Sequence, residues 1–104
     1  MSTQENERLS TISSTVGGVM TDEVGAVTGD QEVSTRLDAE TLSVFVRYAG
    51  SDEWYTVTGS PVLLDVSGHS THADLHERVV EHLTKPGAVV YGNEEATSLR
   101  GFSA

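Results

Sequence analysis

The sequence predicts an α+β fold: a small antiparallel sheet with one amphipathic helix packed on it. Three observations lead there. The run "TLSVFVRYA" alternates between two sets of side chains, as a pleated strand does. The turn residues "GSDE" and a returning "WYTVTG" make it one half of a hairpin. Between Thr71 and Pro86, apolar residues recur at helical spacing, bounded by a capping hydroxyl and a Pro-Gly stop.

Each element can be justified in turn. Residues 1–35 are rich in Ser, Thr, Gly, Glu and Gln and contain no aromatic residue. Such a segment buries too little apolar surface to offset its ordering entropy, so a disordered acidic N-terminal arm is expected. Within it, "VGGVMTDE" at Val16–Glu23 is echoed by "VGAVTGDQ" at Val24–Gln31, and Ile12, Val16, Val19, Met20 and Val27 fall near a helical stripe. Gly17, Gly18 and Gly25 oppose a stable isolated helix. One reading makes Val16, Val19, Met20, Val24 and Val27 a segment that docks on a partner and orders as it binds. The other, which is favoured because two copies of a Val-Gly pattern are weak evidence, is chance self-similarity in a low-complexity tail.

An α+β domain is expected over 36–92. Leu42, Val44, Val46 and Tyr48 share one side of the first strand, with Ser43, Phe45 and Arg47 on the other. Gly50–Glu53 turn the chain and Trp54–Thr58 return it. "VLLDV" at Val62–Val66 suits a third strand or a buried connection. Thr71 then caps a helix, Asp74 favours its positive end, and Lys85 with Pro86–Gly87 ends it. "AVVYG" at Ala88–Gly92 reads as a closing strand. Residues 93–104 read as an exposed C-terminal tail, although Leu99 and Phe102 are apolar enough to fold back on the core.

This ββ(β)αβ order is similar to that of the β-grasp (ubiquitin-like) superfold, and "LRG" at Leu99–Gly101 resembles a ubiquitin-type tail. The likeness is one of element order alone. The chain does not end in Gly-Gly, which leaves conjugation and sulfur-carrier chemistry without support, and a fold does not confer a function.

Composition narrows the classes of function. A chain of 104 residues is one domain at most, and 37% hydrophobic with 6% aromatic residues allows only a modest core. The formal charge of -10 is spread along the chain, which disfavours phosphate backbones and anionic membranes. No cysteine is present, so disulfides, thiolate catalysis and Cys-based zinc sites are excluded. The start "MSTQENERLS" lacks the basic and apolar regions of a secretory signal, and no apolar run approaches the roughly 20 residues that span a bilayer. A cytoplasmic protein is expected. Lys85 is the single lysine. A high-GC genome and a salt-rich, halophilic cytoplasm both account for that bias, the latter because salt screens the self-repulsion of an acidic surface.

All four histidines lie in "GHSTHADLHERVVEHL". At about 100° per residue, His72, His76, Val79 and Leu83 fall within roughly 60° of one another, with His82 at the edge of that stripe. Histidines at i and i+4 can chelate one ion, and His69 could curl over as a third ligand, which makes His69, His72 and His76 the candidate metal set. The same imidazoles could instead form a pH-responsive contact. The favoured reading is structural: half-buried rings bonded to backbone or water.

Other constellations are weaker. Ser70, His72 and Asp74 alternate at a helix start and point apart, not in a relay. Asp52–Glu53 and Glu94–Glu95 are adjacent carboxylates in loops, without a facing partner across a groove. Gly17–Gly18 lacks the context of a phosphate loop. Trp54 is a core anchor or an exposed binding hot spot, the core being favoured. The expectation is a small non-catalytic protein-interaction module, without a cofactor, that binds a protein partner or its own copy as a homodimer. A His-based metal or pH regulator is the first alternative, and an acidic nucleic-acid mimic the second.

Overall fold

The computed structural model describes residues 7–13, 18–38, 40–64, 71–84, 97–99 and 102. In chain order these form strands β1 (Glu7–Ile12), β2 (Val19–Thr21), β3 (Gly25–Val27), β4 (Gln31–Leu37), β5 (Thr41–Tyr48), β6 (Tyr55–Thr56) and β7 (Val62–Leu63), then helix α1 (His72–Thr84). The fold is α+β: an antiparallel sheet with one helix against it.

Alternation along β5 builds the middle of the sheet. Leu42, Val44 and Val46 are fully buried, whereas Ser43, Phe45 and Arg47 occupy the opposite face and are only partly covered. On one side β5 pairs with β4, placing Val46 opposite Val33 and Val44 opposite Thr35. Its other side is shared by β6, at Phe45 and Val46, and by β7, at Thr41 and Leu42. Of the expected strand Val62–Val66, Val62 and Leu63 form β7; Asp65 and Val66 lie outside the described residues.

β1 pairs with the far side of β4, from Glu7 opposite Arg36 to Ile12 opposite Gln31. β2 and β3 form a separate hairpin, joined to the body through bridges Thr21–Val57 and Val19–Thr97. Here the structure corrects the expected arm where it falls within the described residues, 7–13 and 18–35. Residues 7–12 and 31–35 are strands of the main sheet, and Val19, Val27 and Val33 are fully buried. The reason is that burial in this segment is secured by hydrogen bonds as much as by apolar bulk. Gln31 has no exposed surface, and its Nε2 donates to the carbonyl of Val27 at 2.8 Å. Gly18 and Gly25 do not interrupt a helix here. They adopt φ of 79° and 77° at the ends of β-structure, a left-handed conformation that costs glycine little.

The helix starts where the sequence predicts. Thr71 Oγ1 accepts from the Asp74 amide at 3.1 Å, satisfying one of the first-turn donors. Leu75, His76, Val79 and Leu83 form its buried side. Leu75, Val79 and Leu83 pack with Ile12, Val19, Val33, Leu42, Val44, Val46, Val57 and Leu99 into one core, each full burial contributing about 1.5–3 kcal/mol. Leu99 was expected in a C-terminal tail, with folding back left open. Its amide donates to the Thr58 carbonyl at 2.9 Å, and its side chain is 4% exposed. The closing strand expected at Ala88–Gly92 lies outside the described residues. Among those described, no helix is long and apolar enough to cross a membrane.

Candidate functional site

Among the described residues, two places gather the side chains that could carry function: the polar seam between helix and sheet, and the sheet face turned away from the helix.

The seam is built from four residues. On β4 the inward positions are Gln31, Val33 and Thr35, so the Thr35 hydroxyl points at the helix. On β1 the inward positions are Ser10 and Ile12, which lie opposite Val33 and Gln31. His76, 6% exposed, is held between them, with Nδ1 2.7 Å from Thr35 Oγ1 and Nε2 2.6 Å from Ser10 Oγ. His72, one turn earlier, brings Nε2 to 3.0 Å from the same Thr35 hydroxyl. Nδ1 of His72 is buried without a partner among the described residues.

One proton arrangement leaves neither a ring N–H nor the buried Thr35 hydroxyl proton unpaired. His72 Nε2–H donates to Thr35, the Thr35 hydroxyl donates to His76 Nδ1, and His76 Nε2–H donates to Ser10. The lone pair of His72 Nδ1 is then the unmatched atom. Running the chain in reverse would strand an N–H there, which costs more. Both rings are neutral in this arrangement. Burial pushes the pKa of His72 below its ordinary 6.5, and the Arg8 charge adds to the effect. For His76 burial is again the first cause, followed by the His72 ring and Arg8, with Glu77 opposing.

Of the candidate metal ligands, the structure brings His72 and His76 to one hydroxyl; His69 lies outside the described residues. Among the described residues, no group of three or more His, Cys, Asp or Glu side chains is placed to hold a metal ion. His82 stands apart. Its Nε2 donates to the Ser98 carbonyl at 2.8 Å, and its ring meets Phe102 edge-on at 5.5 Å.

The outer face is a grid set by strand register. One row runs Leu9, Ser34, Phe45, Thr56; beside it lie Glu7, Arg36 and Ser43 on one side and Thr11, Glu32 and Arg47 on the other. Trp54 closes one end, with the Arg47 guanidinium 4.5 Å from its ring centroid and Arg47 Nε donating to Glu32 at 2.7 Å. Glu7, Ser34, Arg36, Phe45 and Trp54 line an open pocket of about 260 Å³. Ser34 lies at its floor, 2% exposed, and donates to Glu7 Oε2 at 2.9 Å. Leu9 stands beside the pocket with 54% of its surface exposed.

Other candidate partner-binding residues divide. Val19 and Val27 are core and have no surface to offer a partner, because the β2–β3 hairpin folds them inward. Met20 is partly buried, Val24 is 52% exposed in the hairpin turn, and Val16 lies outside the described residues. Trp54, favoured as a core anchor, is half-buried on the outer face. Sequence reasoning missed Ser10, Thr35, Glu7 and Arg36. The period-2 pattern in "QEVSTRL" was the available signal, since it puts Thr35 on one face and Ser34 and Arg36 on the other.

Comparison with known proteins finds no matching family, no similar curated protein and no similar solved structure.

Proposed function

We propose that this protein is a small non-catalytic interaction module that recruits a protein partner through the outer face of its sheet. The observation that carries the reading is the Glu7–Ser34–Arg36–Phe45–Trp54 pocket, with exposed Leu9 beside it, on the face the helix leaves open. Aromatic side chains with apolar bodies and polar handles, ringed by charge, are the usual anchors of protein contacts. The net charge of -10 supports a protein partner over nucleic acid or an anionic membrane. The test compares immobilised wild-type protein with a Trp54→Ala/Phe45→Ser variant in extract of its own cells. Proteins held by the first and released by the second would support the module. An identical retained set, with the variant's fold intact by circular dichroism, would remove the outer face as its working surface.

The Ser10–His76–Thr35–His72 seam supports a second reading, a pH-responsive regulator. Neutral imidazoles join the helix to two strands, so protonation in acid acts directly on that junction. Loss of partner binding on mild acidification, with no such loss in a His72→Asn/His76→Asn variant, would support it; pH-independent binding would end it.

A further inference from the structure

We infer that the outer sheet face is a self-complementary surface whose partner is a second copy of this chain. The inference rests on the interaction reading above and names its partner.

Charge argues first. The chain carries a formal -10, so two copies repel one another over most of their surfaces. The strand positions of the outer face are different: Glu7 and Glu32 are balanced by Arg36 and Arg47. A like-charged copy meets less repulsion there than over the rest of the surface. Within that set, Arg47 is spent on Glu32. Arg36 and Glu7, opposite one another across the β1–β4 pair, form no ion pair with each other among the described residues.

Shape argues second. Leu9 is a projecting apolar side chain, and the hollow floored by Ser34 is its neighbour, because Leu9 and Ser34 are register partners on β1 and β4. A two-fold axis lying in the plane of the face, along the strands and between β1 and β4, carries each β1 over the other copy's β4. The same operation sets Leu9 of one copy over the Ser34 floor of the other and Glu7 of one copy over Arg36 of the other. Knob meets hollow and carboxylate meets guanidinium twice, as an isologous contact requires. The two sheets then pack with strands nearly aligned, about 10 Å apart. The contact spans two strands per copy, so the dimer forms and dissociates with concentration.

Sedimentation velocity over a concentration series tests this with four chains: wild type, Leu9→Asp, Arg36→Glu and Glu7→Arg. Wild type is expected to show a concentration-dependent dimer, and each variant a monomer with an unchanged far-ultraviolet spectrum. Mixing Arg36→Glu with Glu7→Arg is expected to restore a heterodimer, since each contact then pairs opposite charges; a misfolded variant could not do this. A wild-type monomer at every concentration would overturn the inference and leave recruitment of another protein standing. A dimer that Leu9→Asp and Arg36→Glu leave intact, or a mixture that stays monomeric, would also overturn it.

Discussion

The hydroxyl of Thr35 meets Nδ1 of His76 at 2.7 Å and so ties the middle of β4 to the buried side of the helix. The same oxygen serves His72 Nε2 at 3.0 Å, so one side chain anchors two turns of α1. Replacing Thr35 with Val keeps the shape and removes both bonds, leaving polar ring atoms buried and unmatched. The expected loss is about 1–3 kcal/mol of unfolding free energy, measured by chemical denaturation at neutral pH. Thr35→Ser keeps the hydroxyl and is expected to lose less, so equal losses would place the cost in packing.

The seam also sets a pH dependence. Burial lowers both imidazole pKa values below 6.5, aided at His72 by Arg8 and at His76 by the His72 ring and then Arg8, with the Thr35 hydrogen bond opposing at His72 and Glu77 at His76. Below that value the unfolded chain binds protons that the folded chain still refuses, so the unfolded state binds more and stability falls with pH. The loss begins as pH drops through 6.5 and ends once the folded pKa values are passed. Denaturation profiles between neutral and mildly acidic pH should show that slope, and His72→Asn/His76→Asn should flatten it. Ring-proton titrations by NMR would give midpoints below 6.5 for both residues; a midpoint above it for either would reverse the sign.

Two glycines separate conformation from space. Gly18 and Gly29 both have positive φ, at 79° and 86°. A methyl at Gly29 would meet nothing within 4 Å, whereas one at Gly18 would lie 2.6 Å from the Val27 carbonyl oxygen. Gly29→Ala should therefore cost only the left-handed backbone term, about 1–2 kcal/mol. Gly18→Ala must in addition force β3 away from β2, and its thermal midpoint should fall further. Equal midpoints for the two variants would contradict this account of the β2–β3 hairpin.

How much of this was legible in the sequence depends on how each strand is buried. β5 was readable because Leu42, Val44 and Val46 are aliphatic at every second position. β4 was not, because its inward positions include the polar Gln31, bonded through Nε2 to the nearby Val27 carbonyl, and Thr35, whose partner His76 lies 41 positions on. The histidines were noticed, and their place on the helix's apolar stripe was legible from spacing alone. Their hydroxyl partners were not: Thr35 is 41 positions from His76, and Ser10 is 66. Local composition likewise marked the β2–β3 segment as low complexity, since its order depends on long-range bridges from Thr21 to Val57 and from Val19 to Thr97.

A carboxylate pins that hairpin to the main sheet. Glu23 Oε1 accepts from the Thr56 amide at 2.7 Å and Oε2 from the Thr56 hydroxyl at 2.8 Å, while the Asp22 amide donates to the Thr56 carbonyl at 3.0 Å. The bonds from Thr56, its hydroxyl foremost, hold the Glu23 carboxyl below its ordinary 4.5. A depressed acid stabilises the folded state above its unfolded pKa, and the contribution disappears as pH falls through the folded one. Glu23→Ala should therefore raise the hydrogen-exchange rate of the Thr56 amide at neutral pH, relative to its intrinsic rate, and leave Val44 in the sheet centre unchanged. In wild type the same loss of protection should appear only below pH 4.5, whereas the Ala variant should show no added step there. If Thr56 were as protected in the variant as in wild type, the Glu23 contact would have no part in holding β2 and β3 to the sheet.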